Sequence, residues 1–144
     1  MRGRGREPTD TIVPSRSAAS PHPRPEWFSG PVYIQTLRVG GEASELEIFA
    51  VYFDVGSRTK PHTHSTEQLL VFLEGEGIVA DRSTRRRYRA GRLAVVPAGE
   101  WHWHGATADS ATCHLSIRPG GPSAWPPEVE MGDWDTYMDG ADEA

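Results

Sequence analysis

From residue 31 onward, apolar and polar residues alternate with a period of two, and glycine, proline or charged turns interrupt the pattern every few positions. That pattern predicts a domain built from strands. Val32 to Leu37 reads as a first strand and Glu45 to Val55 as a longer second one. In the second, Leu46, Ile48, Ala50 and Tyr52 alternate with Phe49, Val51, Phe53 and Val55, so both faces are apolar and the strand is expected to be covered on both sides. Gln68 to Leu73 and Ile78 to Asp81 follow, with the intervening Glu-Gly-Glu-Gly expected as a turn. Arg87 to Ala90, Leu93 to Val96, Trp101 to His104 and Ala111 to Arg118 complete the series. Eight or so strands at this spacing point to an all-β sandwich or barrel. A short helix is expected only near Glu130 to Met138.

The two ends differ from this core. Residues 1–25 hold five prolines among Ser, Arg and Gly, a composition that buries too little apolar area to offset the entropy of ordering. They are expected to form a flexible arm, or a strap on a neighbouring subunit anchored by Trp27 and Phe28. Residues 128–144 carry seven acids and no base, and this acidic tail is expected to cover the barrel or a neighbour through Trp125 and Trp134. Residues 26–127 form the single domain, with ten bases against eleven acids. A domain without a net basic surface argues against a nucleic-acid partner. The one basic run, Arg85 to Arg87, reads as a solvated hairpin. No apolar run approaches the roughly 20 residues of a membrane span, and no apolar stretch follows the N-terminal arginines. The expectation is a soluble cytoplasmic protein with no membrane partner. Cys113 is the sole cysteine, which rules out an internal disulfide and makes it a small buried hydrophobe.

The histidines carry the chemistry. Five of six lie between residues 62 and 114, and four form two His-x-His pairs, His62 with His64 and His102 with His104. Residues two apart on a strand face the same side, so each pair can address one point. Gln68 shares the parity of His62 and His64, whereas Glu67 is expected to point away. Side by side in a barrel, these strands would bring four imidazoles and an amide oxygen around a divalent cation. His104 could instead be a hydrogen-bonding neighbour of the ligands. His22, in the arm, is assigned no role.

The spacing of these residues resembles the cupin superfamily. Gly56, His62, His64, Gln68 and Gly75 fall at the positions of the first cupin motif, with Gln68 where the family has Glu. Gly91, Pro97, Gly99 and His102 meet the second motif, with Ala106 where the family has Asn. The resemblance implies a double-stranded β-helix, or jelly-roll barrel, with His62, His64, Gln68 and His102 holding a metal inside it. An all-neutral His/Gln set leaves the full +2 on the ion, which predicts a stronger Lewis acid and non-redox catalysis.

Size, the His/Gln set and the paired histidines are similar to small single-domain cupins that act as aromatic polyketide cyclases. That resemblance implies zinc, with iron, manganese or nickel as alternatives, held by His62, His64, Gln68, His102 and His104. It implies a polyketide-like small-molecule substrate and aldol-type ring closure in antibiotic biosynthesis, with His114 or a metal-bound hydroxide as the base. Tyr52, Phe72, Trp101 and Trp103 are the expected aromatic lining, with parity putting some of them outside. A homodimer is the family expectation. Two readings compete: an iron or manganese dioxygenase or related isomerase or decarboxylase, to which the phrase HWHGA lends a resemblance, and a non-enzymatic cupin that binds a small ligand.

Overall fold

A computed structural model describes residues 11–39, 45–134 and 142–144. Its strands are β1 (Ser20–Pro21), β2 (Phe28–Ser29), β3 (Val32–Arg38), β4 (Leu46–Phe53), β5 (Arg58–Thr59), β6 (Thr63–His64) and β7 (Gln68–Ala80). They continue with β8 (Arg85–Arg89), β9 (Leu93–Val96), β10 (Trp103–Ala106), β11 (Thr112–Pro119), β12 (Ser123–Ala124) and β13 (Asp142–Glu143). One curled sheet runs in the order β1-β3-β4-β11-β7-β10-β5-β2, with β8 and β9 also paired to β7, and β13 to β8. The separate pair β12-β6 lies beside the site. This is the all-β class the alternation predicts and the jelly-roll fold the cupin resemblance implies.

The 13-residue strand β7 corrects an expectation. Glu74 to Gly77 is not a hairpin turn; β7 runs through it without a break. Residues 69–75 pair with β11, and residues 76–80 pair with β8 and, from Gly77, with β10. The strand therefore turns the corner between the two halves of the barrel. Gly75 makes the corner possible: its φ is +69°, and a Cβ there would collide with the carbonyl of Ala111. Opposite it, β11 slips its register between Cys113 and His114, a bulge that bends the sheet at the same place.

On β4 and β11 the side-chain alternation separates two environments. Val51 and Phe53 face inward with Val32 and Ala106, while Ala50, Tyr52 and Cys113 form a second buried cluster on the outer face. Burial raises the Cys113 thiol to about 11, so it stays protonated and behaves as an apolar group. On β11, His114, Ser116 and Arg118 are buried on the inward side. The N-terminal segment follows the sheet edge, with β1 antiparallel to β3. Residues 130–134 are not helical, with a turn at 132–134, and residues 135–138 of the expected helix lie outside the described residues. Among the described residues, no helix is long and apolar enough to cross a membrane.

Candidate metal centre

A single backbone bridge builds the centre. The N–H of His62 donates to the carbonyl of His102 at 3.0 Å, and the N–H of His102 returns the bond to His62 at 3.1 Å. Two sequence-distant His-x-His pairs are thereby set side by side, with the rings of His62 and His102 4.2 Å apart. His64 comes from β6, which β12 pins in place through the pairing of His64 with Ser123. One ring nitrogen each from His62, His64 and His102 lies within 4.8 Å of the others, close enough to reach one cation.

The hydrogen bonds decide which nitrogen is available. His62 Nδ1 lies 2.8 Å from the Lys60 carbonyl and His102 Nδ1 2.9 Å from the Glu100 carbonyl. A carbonyl only accepts, so both Nδ1 atoms carry the proton and both Nε2 atoms present a lone pair. The amide of Gln68 is fixed by donation from Nε2 to Ser116 Oγ at 2.8 Å, which turns Oε1 toward His102 Nε2 at 3.1 Å. Two acceptors then face each other with no proton between them, an arrangement that a cation relieves. His64 Nδ1 is held by Ser123 Oγ at 2.7 Å, and its Nε2 is buried without a hydrogen-bond partner. These residues fit a divalent metal.

Gln68 joins the group although residues 65–67 are not strand, so the extended parity that predicts it holds only as far as His64. Glu67 is exposed, as expected. His104 is not in the trio of converging nitrogens. Its Nδ1 lies 2.9 Å from His114 Nε2, and its own Nε2 is buried and unpartnered. The rings of His104 and His62 are 5.3 Å apart, so this dyad stands directly beside the trio.

Burial keeps all five rings neutral. It lowers His64 and His114 to about 3 and His102 to about 4. His62 and His104 are pushed well below the imidazole range, first by burial and then by neighbouring histidines. Neutral imidazole is the form that binds a metal or accepts a proton.

Above these groups opens a cavity of about 520 Å³. Its aromatic wall differs from the expected one. Trp27, Phe28, Phe49, Phe53 and Trp125 line it. Tyr52 lies in the outer cluster, Trp103 packs on Trp134, Phe72 stacks on Tyr88, and Trp101 donates Nε1–H to the Glu130 carbonyl. Trp125 is stacked between Trp27, 4.5 Å away, and His62, 3.9 Å away. Both tryptophans sit in Pro-rich connections without periodicity, which is why strand reasoning does not find them as lining. His22, assigned no role, also lines the mouth, edge-on to Phe28.

The cupin-domain family matches residues 49–118, a span that holds all six candidate residues. The (R)-mandelonitrile lyase of Granulicella tundricola is 32% identical over 94 residues, covering 65% of this chain and 72% of that protein. The chain is a cupin. Among solved structures, a cupin-like protein from Thermotoga maritima matches it with a TM-score of 0.73 at 26% identity, over 91% of this cupin and 99% of its own chain. The polyketide cyclase RemF from Streptomyces resistomycificus matches with a TM-score of 0.67 at 16% identity, over 90% and 95% of the two chains. At that identity the likeness to RemF concerns the fold alone. A relative of this cupin is thus an enzyme, and the chain's own histidine trio is able to hold a metal.

Proposed function

We propose that this cupin is a metal-dependent lyase that breaks and forms a carbon–carbon bond beside a hydroxyl-bearing carbon, as a mandelonitrile lyase does. The observation that carries the reading is the pairing of the His62/His64/His102 trio with an unpartnered His104 Nε2 beneath an apolar cavity. The identity to the Granulicella enzyme supports it.

His62, His64, Gln68 and His102 would hold the metal. When bound there, a divalent cation supplies Lewis acidity, which stabilises negative charge on a substrate oxygen. Zinc is the expected ion, with manganese, iron and nickel as alternatives. His104 acts as the base rather than as a fifth ligand. When His104 Nδ1–H donates to His114 Nε2, the Nε2 of His104 is left unprotonated toward the substrate hydroxyl. His104 takes that proton, and the O–H electron pair becomes the second carbon–oxygen bond. The carbon–carbon pair leaves with the nitrile carbon as cyanide, which receives the proton back from His104. Atoms balance to one aldehyde and one hydrogen cyanide. Burial makes His104 a weak base, and so a ready acid for the return step. His114 keeps the tautomer; it is a positioning residue.

The test is benzaldehyde release from mandelonitrile by protein loaded in turn with zinc, manganese and iron(II). Turnover in at least one form, absent in His102→Ala, is expected. No turnover above the uncatalysed rate with any metal overturns the reading. Dioxygen uptake in the same vessel would favour the oxygenase, and binding without turnover the non-enzymatic cupin.

A second reading keeps the site and changes the substrate to a polyketide closed by aldol addition. The cavity supports it, because about 520 Å³ lies within the roughly 300–1,000 Å³ of pockets that take larger ligands. A changed ring pattern from a minimal polyketide synthase in the presence of this chain is its test.

A further inference from the structure

The cavity wall holds two arginines, one at the exposed rim and one buried. At the rim, Arg24 donates Nε–H to Glu26 at 2.6 Å and lies over the Trp27 ring. Deeper, Arg118 Nε lies 3.1 Å from Glu47 Oε1 in an ion pair whose side chains are only 9% and 19% exposed. Its Nη1 donates to Thr66 Oγ1 at 3.0 Å and, more weakly, to the Pro119 carbonyl at 3.5 Å. Its Nη2 donates to the Gly121 carbonyl at 3.2 Å and to Ser123 Oγ at 3.1 Å. The guanidinium is therefore engaged on every nitrogen, by the Glu47 carboxylate at Nε and by neutral acceptors at Nη1 and Nη2. Ser123 is also the residue that holds His64, so Arg118 lies two hydrogen bonds from the ligand trio.

Most of the remaining wall is apolar. Phe28, Ile34, Phe49, Val51 and Phe53 line it, with Trp125 at the mouth. Both faces of Trp125 are already covered, by Trp27 and His62, so a ligand meets its edge and the Phe rings. That surface suits a flat ring, because aromatic pairs favour edge-to-face and offset contact.

We propose that the cavity selects uncharged aromatic carbonyl or hydroxy compounds, and that Glu47 sets this selectivity by occupying Arg118. With Glu47 in place, a carboxylate entering the cavity loses its hydration and meets no unpaired buried cation in the wall. Without Glu47, Arg118 becomes an unpaired buried cation beside the ligand trio, which is a carboxylate site. The inference rests on the lyase reading for its substrate class, and it concerns binding, so it is tested without turnover.

The probes are benzamide and benzoate, nearly equal in shape and different by one charge, titrated calorimetrically into the purified metal-bearing protein. Any attraction of benzoate to the metal is common to wild type and variant, so the change between them reads the Arg118 contribution. Glu47→Gln is expected to tighten benzoate about tenfold, or ~1.4 kcal/mol, and to move benzamide less than twofold. Glu47→Ala, which leaves no side-chain oxygen for Arg118, is expected to give at least the same gain. A benzamide titration that still saturates shows that each variant is folded. An equal change for both probes, or no gain for benzoate in either variant, overturns the proposal. Benzamide binding with the expected selectivity, but no mandelonitrile turnover, overturns the lyase reading and leaves the charge selection standing.

Discussion

His104 Nδ1 and His114 Nε2 lie 2.9 Å apart at the floor of the cavity, and the outward Nε2 of His104 has no partner. One proton is shared between the two facing nitrogens, so the tautomer of the hidden ring sets that of the ring facing the substrate. His104→Gln is expected to lower kcat for mandelonitrile cleavage by about 10²–10⁴ with unchanged metal content. His114→Gln, which keeps a hydrogen-bonding group behind His104, is expected to cost less. Steady-state kinetics paired with elemental analysis checks both; an unchanged kcat in His104→Gln removes it as the base.

The histidines also give the metal-stripped protein a defined pH response. His64 and His114 stand at about 3 and His102 at about 4 in the folded chain, against 6.5 ordinarily. Below about pH 6.5 the unfolded chain takes up protons that the folded one refuses, so stability falls with pH. It is complete above 6.5 and declines toward pH 4. Thermal melts of the metal-stripped protein across this range are expected to show a steady drop in Tm, and a flat profile contradicts the burial of neutral rings.

Trp125 reports on the site because it stacks on His62 at 3.9 Å. Copper(II) added to the metal-stripped protein is expected to quench tryptophan emission stoichiometrically. Trp125→Phe should lose most of the quenching while retaining the copper. Equal quenching in both proteins would place the ion elsewhere.

The corner of β7 gives a stability prediction. Gly75→Ala forces a Cβ against the Ala111 carbonyl at φ +69° and is expected to destabilise by about 1–3 kcal/mol in urea unfolding. Gly91→Ala, at φ +90° with open space around it, is the milder control. Equal losses in the two would mean that the corner does not depend on the close approach.

Much of this centre is legible in the chain because its signals are local. A period of two names the strands, and a His-x-His pair on extended chain aims two rings at one point. The amide of Gln68 follows from the motif spacing. Three things are not local. The His62–His102 bridge is a long-range pairing, so adjacency of the two pairs has to be assumed beforehand. The run from Glu74 to Gly77 carries the same glycines as a hairpin, and only the partners on either side make it a barrel corner. Trp27, Trp125, Glu47 and Arg118 meet from both ends of the chain, and no periodicity connects them.

The homodimer expected from sequence is proposed to use the outer face of the sheet, where Leu93 and Val95 are each 54% exposed beside Leu73. Light scattering after size exclusion should give twice 15.9 kDa, and Leu93→Glu should return the single mass. A monomer at all concentrations contradicts this.

The most direct test of the whole account is elemental analysis of the purified protein beside His62→Ala and His102→Ala. The account predicts about one divalent transition-metal ion per chain in the wild type and almost none in either variant, with circular dichroism showing the same β-sheet signal in all three. A folded wild type that neither carries nor takes up an ion, or variants that retain it in full, contradicts the metal centre.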